Sequence, residues 1–414
     1  MRTIRWGGFR WSRRPLTLAA IGAVVGVVAA FTHGSSRDGP SARTVDEIVL
    51  RGRQLVLEHA CGECHGGPHP AAEGWLAGYS GEALPGIQDF QIGPFHTYAR
   101  NLTPDNVTGL GRFSERQIFN ALRWGLRPGE TPDVEITSGT PGEGNFPEHP
   151  AYLAPPMPWT AWRHMPDEDL WAIAAYLKRG LKPVSHRVPD SEGPPDFWAG
   201  EYTVEKYGTY PAPDFPIGNE TLPPQGSVDL EKVLRGRQVV LEHACTECHG
   251  GMDNPAAKDW LVGMTTPDQE IPLGPCQADP AATPCYRARP RNLTPDDATG
   301  TGRYSERQIF NALRYGLNPR ETPDVEITAG TPGQGGFPEH PKYLAPAMPW
   351  MSWRNMSDAD LWALVAYLKH GVRPIDNHVD ESEAPPDSWA DAFTPDKIGT
   401  YPAPPFPTAR EVGG

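Results

Sequence analysis

Val49–Gly67 reads VLRGRQLVLEHACGECHGG, and Val233–Gly251 reads VLRGRQVVLEHACTECHGG. The two stretches differ at two of 19 positions and lie 184 residues apart. Further on, Asn101–Leu126 and Asn292–Leu317 agree at 21 of 26 positions at a spacing of 191, so the second copy has gained seven residues in between. EHPAYLAPPMPW is answered by EHPKYLAPAMPW, DLWAIAAYLK by DLWALVAYLK, and GTYPAPDFP by GTYPAPPFP. Self-similarity on this scale marks duplication of a whole folding unit. The expected organisation is a leader over 1–36, one unit over 44–217, a Pro- and Gly-rich linker over 218–228, and a second unit over 229–407.

Each unit is expected to hold three principal helices. The first runs over Val45–His59 and again over Asp229–His243, apolar on one face and ending at a cysteine pair. Ser114 and Ser305 suit N-caps for SERQIFNALRWG and SERQIFNALRYG. Asp167, and Ser357 or Asp358, open a last helix that closes at a glycine. No stretch reads as a strand ladder, so the expected class is all-α with long loops. Gly (44) and Pro (48) make up about a fifth of the 414 residues, above average usage but short of disorder.

Cys61-Gly-Glu-Cys64-His65 and Cys245-Thr-Glu-Cys248-His249 have the spacing of c-type haem attachment. Two cysteines three apart at a helix start reach both vinyl groups of one porphyrin, and the adjacent histidine lies under the iron. A zinc site would want a fourth ligand. A dithiol redox pair would need no histidine. A disulfide at this spacing would be strained. Two covalent haem c groups are therefore expected, with His65 and His249 as proximal iron ligands.

With these motifs in place the chain resembles the class I cytochrome c family in both copies. The shared features are the N-terminal helix with Gly52 or Gly236, the Cys-x-x-Cys-His, a methionine in a proline-rich loop, and a final helix carrying Tyr176 or Tyr367. NLTPD-x-x-TG-x-GR-[FY]-S and MPW…M-[PS]-D-x-DLWA-x-x-AYLK are similar to cytochrome subunits of membrane-associated periplasmic dehydrogenases. The resemblance implies tandem cytochrome c-like domains, electron transfer, crossed terminal helices and a six-coordinate iron. The copies are longer than a minimal cytochrome domain: Met157 follows His65 by 92 residues and Met348 follows His249 by 99. The stretches 130–150 and 321–341 have no reading.

Met157 and Met348, in APPMPW and APAMPW, are the first candidates for the sixth ligand, because flanking prolines restrain the sulfur. His149 and His340, in PEHP, are the rivals. Met165 and Met356 suit a packing contact at a helix start, and His59 and His243 precede the cysteines too closely to reach across a ring. Arg100 and Arg291 suit charge-assisted bonds to haem propionates, with a turn role as the alternative for them and for Asn101 and Asn292. Trp159, Trp350, Trp171 and Trp362 read as core, or as pocket walls. Cys276 and Cys285, in the insert, are expected to form a disulfide.

The net charge is −14. Seven arginines and one acid in residues 1–43 leave the remainder near −20. That excludes nucleic acid as a partner and suits a basic docking surface or solubility. The early arginines followed by the apolar run Leu16–Phe31 read as a signal peptide or an uncleaved anchor, placing the rest outside the cytoplasm, on the periplasmic side of a bacterial inner membrane. The leading functional reading is an electron carrier between a donor dehydrogenase or quinol complex and a downstream acceptor, with no catalytic residue. The alternative is a dihaem redox enzyme, a peroxidase or sulfur-compound oxidoreductase, with one open haem.

Overall fold

Helix α1 (Ala42–Glu58) presents one apolar stripe and stops short of the first cysteine, where Ala60 turns left-handed at φ 59° and starts the one-turn helix α2 (Cys61–His65). This computed structural model describes residues 42–67, 69–79, 89–277 and 281–413. The leader over 1–36, signal or anchor, lies outside them.

A short antiparallel hairpin follows, β1 (Asp89–Ile92) with β2 (Phe95–Tyr98). Helix α3 (Glu115–Trp124) begins at a full capping box: Ser114 Oγ accepts from the Gln117 backbone N–H, and Gln117 Oε1 accepts from that of Ser114. It ends at Gly125, in the left-handed region at φ 68°. Helix α4 (Trp159–Trp162) and helix α5 (Asp167–Ala175) complete the first set, α5 running on through a wider turn to Gly180. A short helix α6 (Val204–Tyr207) leads into the connection.

The second set repeats this order. Helix α7 (Leu230–Glu242), capped by Asp229, leads to α8 (Cys245–His249) through Ala244 at φ 55°. The hairpin is β3 (Ile271–Leu273) with β4 (Tyr286–Ala288). Then come α9 (Glu306–Tyr315) with the Ser305–Gln308 capping box, α10 (Trp350–Trp353), α11 (Asp358–His370) capped by Ser357, and the short α12 (Pro395–Ile398). The hairpins correct the expectation of a chain without strands; at three or four residues each, they are too short for an alternating pattern to register. Cys276 and Cys285 form the expected disulfide, Cα–Cα 5.2 Å, across the loop between β3 and β4.

In each copy the first and last helices cross at a glycine. A β-carbon on Gly52 would lie 1.9 Å from the Ala172 carbonyl oxygen, and one on Gly236 equally close to that of Ala363. Around the crossings lie two apolar cores, one holding Leu55, Val56, Leu76, Leu170 and Tyr176, the other Val239, Val240, Leu261, Leu361 and Tyr367. The loops 130–150 and 321–341 close over small cores of their own, Leu126, Ile136 and Phe146 in one and Leu317, Ile327 and Phe337 in the other.

The segments after the last helices cross over. Glu220, inside the stretch expected to be a linker, is 1% exposed; Arg237 of α7 donates to it at 2.6 Å and Tyr367 of α11 at 2.7 Å. Glu411 is 0% exposed and receives Arg53 of α1 at 2.6 Å and Tyr176 at 2.7 Å. The tail of each copy is thus anchored in the other, which makes residue 220 a structural clasp. Between the copies, Gln54 donates to the Asn355 carbonyl and Gln238 to that of His164. Ser352 donates to Glu63, and Thr160 to Glu247 at 3.3 Å. Each contact has its mirror, the pattern of a two-fold interface.

Candidate functional site

Because Ala60 and Ala244 take left-handed backbone, each cysteine pair is delivered on a fresh helical turn. His65 then points inward, 8% exposed, and its Nδ1 lies 2.7 Å from the Arg100 carbonyl oxygen. His249 is 8% exposed with Nδ1 2.7 Å from the Arg291 carbonyl. Such a contact is a hydrogen bond when Nδ1 carries the proton, which leaves the Nε2 lone pair free for a metal. Burial lowers the proton affinity of both rings, and so favours this neutral form.

The four motif cysteines are free thiols, so the disulfide reading does not hold. Burial pushes Cys61, Cys64 and Cys245 up to about 12, which suits neither a reactive thiolate nor a dithiol redox pair. A cavity of about 400 Å³ opens beside the second motif, with Cys245, Cys248 and His249 on its wall together with Met348 and Arg291. Leu313, Leu364 and Trp353 line it as apolar surface. In the first copy Cys61 and Met157 both pack against the apolar core that holds Leu55 and Leu170. Paired thiols, a tautomer-fixed imidazole, a methionine and apolar walls on one cavity are the donor set and surroundings that a covalently tethered haem requires.

His149 and His340 are exposed, and His340 is not among the residues lining that cavity. Met165 and Met356 are buried in the cores, as expected of helix-start packing. Arg100 and Arg291 enter through an unexpected atom, the backbone carbonyl. The Arg100 side chain bonds the Pro189 carbonyl, and that of Arg291 the Asp380 carbonyl at 2.8 Å with Glu381 at 3.1 Å. Asn101 and Asn292 hold their turns, each accepting from a threonine N–H two residues on at 2.9 Å. The tryptophans are packing elements: Trp159 stacks on Tyr152, and Trp171 on Phe119 beneath Arg116. Sequence reasoning set aside His59 and His243, which stack on each other between the copies, centroids 4.1 Å apart and planes 7° from parallel.

Residues 233–371 match the cytochrome c family. The chain carries a cytochrome c domain. Among curated proteins this cytochrome is similar to the gluconate 2-dehydrogenase cytochrome c subunit of Pantoea cypripedii, 27% identical over 78% of this chain and 59% of the relative. It is also similar to the fructose dehydrogenase cytochrome subunit of Gluconobacter japonicus, 23% identical over 86% of this chain and 59% of the relative. The cytochrome c subunit of the quinone-dependent alcohol dehydrogenase of Komagataeibacter europaeus is 24% identical over 86% of this chain and 62% of its own length. The chain thus spans about three-fifths of the length of these relatives. No helix among the described residues is long and apolar enough to cross a membrane.

Proposed function

We propose that the chain is an exported dihaem c-type cytochrome that relays single electrons from a donor dehydrogenase or quinol complex to a downstream acceptor. The observation that carries this reading is the duplicated arrangement of paired thiols followed by a histidine whose Nδ1 faces a backbone carbonyl at 2.7 Å. Cys61 and Cys64 would tether one haem c and Cys245 and Cys248 the other, with His65 and His249 as proximal ligands. Haem c supplies the one-electron chemistry when bound. Each His presents Nε2 in a set direction because its Nδ1–H is committed to the carbonyl. Met157 and Met348 would supply the second protein ligand to each iron: in each loop the methionine N–H donates to the alanine three residues back, at 3.0 and 2.9 Å, and its carbonyl accepts from a tryptophan N–H at 2.8 Å. Those bonds limit the swing of a weakly binding thioether.

The relatives named as dehydrogenase cytochrome subunits support a dehydrogenase as donor. The acidic balance supports docking to a basic surface, and the Cys276–Cys285 disulfide supports an oxidising compartment. With Met157 and Met348 so engaged, neither site would be open to substrate. The test is a spectrum of the purified haem-loaded chain. A far-red sulfur-to-iron band at two-haem intensity, with no response of the reduced form to carbon monoxide, is expected; carbon monoxide binding at one haem would instead favour a redox enzyme.

A further inference from the structure

Where the two copies meet, Glu58, His59 and His243 each place a ligand atom within 4.8 Å of the others, all buried. Among the described residues, neither ring nitrogen of His59, nor Nδ1 of His243, makes a hydrogen bond of good geometry, the His59 ring having only a weak backbone contact with Glu242. A buried polar atom without a partner forfeits its hydration and calls for a physical reason. The surrounding charges supply one. Arg51 pairs with Asp169 at 2.8 Å, and Arg235 with Asp360 at 2.6 Å and Glu242 at 3.4 Å. With Glu58 there are four acidic side chains against two guanidinium groups around the two imidazoles. Glu58, His59, Glu242 and His243 are all only 5–7% exposed, so bulk water does not satisfy their polar atoms.

We propose that Glu58, His59 and His243 form a binding site for one divalent zinc-class cation between the two copies, separate from the haem sites. Two imidazoles and a carboxylate are a ligand set that zinc takes in three-ligand sites, with water in the fourth position. Gln54 Nε2 donates to Glu58 Oε2 at 3.1 Å and orients the carboxylate from behind. Two imidazole lone pairs meet at one ion only where their ring planes intersect, so loading turns one ring out of the parallel stack. His59 and Glu58 come from one copy and His243 from the other, so the ion also clamps the interface.

The experiment titrates Zn²⁺ into the chelator-treated, haem-loaded full chain by calorimetry, with a thermal melt of each sample. One equivalent per chain at micromolar affinity or tighter, with a raised melting temperature, is expected. His59→Phe keeps an aromatic ring in the stack and should weaken binding more than ~100-fold, beyond the 10–100-fold typical of losing an outer-shell partner. Glu58→Gln, isosteric with the protonated acid, should weaken it at least ~10-fold and decides the matter if the phenylalanine variant does not fold. His149→Ala and His340→Ala, both exposed, should change nothing. Absence of zinc binding, or binding that persists unchanged in Glu58→Gln, overturns the site.

Discussion

In the first copy the attachment helix carries Gly62, pressed so closely on Trp75 that a β-carbon there would lie 2.2 Å from the ring. In the second, Thr246 stands in that position, and its hydroxyl lies 3.0 Å from an Asp253 carboxylate oxygen. The second copy also carries the disulfide-closed insert. Against these differences, the two histidines face their carbonyls at the same 2.7 Å, the crossing glycines are equally tight, and the Arg53–Glu411 and Arg237–Glu220 pairs share one 2.6 Å geometry. Features that coincide hold the proposed cofactor, lock the helix crossing within each copy or join the copies. Features that differ lie around them, free to give each site its own surroundings.

The sharpest way to break the equivalence is at the methionines. Met157→Ala and Met348→Ala should each open one of two irons to carbon monoxide and halve the far-red band, read by absorption spectroscopy. An effect from only one of them would mean the copies bind their irons differently. The clasps come next. Glu220→Ala and Glu411→Ala each strand a buried arginine, and each should cost about 3–5 kcal/mol in denaturant unfolding. A large difference between the two would show the two-fold arrangement to be unequal in energy.

The insert offers a one-sided test. Removing the Cys276–Cys285 bridge with the double alanine variant should cost about 2–3 kcal/mol, as expected for a short closed loop, with no counterpart in the first copy. Smallest is a pH effect at the shared boundary. Glu58 is raised to about 7 by burial, above the ordinary carboxylate value of ~4.3. The unfolded state therefore releases this proton first as pH rises. The contribution of Glu58 to stability is full below pH ~4.3 and is lost as pH climbs through 7. Glu58→Gln in metal-free protein should reduce the slope of the melting temperature over that window, the remainder belonging to Glu242, which burial also raises to about 7.

Much of this was legible because duplication doubled most of the signals. The cysteine motifs, the N-caps at Ser114 and Ser305, the first helix (expected over 45–59, found over 42–58) and the insert disulfide are local, set by spacing within a few residues. What escaped was contact between copies. Glu220 and Glu411 sit in tails whose recurrence was visible, but nothing in one dimension says that a tail anchors in the opposite copy. A recurring Arg-Gly-Arg with one more buried acid per tail was the available signal. His59 and His243 were set aside by asking only whether they reached a haem. Arg100 and Arg291 were singled out for their charge, whereas their carbonyls face the histidines, and sequence carries no code for which backbone oxygen faces a ring.

The central claim is that the chain holds two equivalent covalent haem sites. Intact mass of the purified, haem-matured chain, compared with Cys61→Ala/Cys64→Ala and Cys245→Ala/Cys248→Ala variants, tests it most directly. The account predicts two haem masses on the wild type and one on each double variant. A single haem on the wild type, lost entirely in one variant and kept in the other, would contradict it.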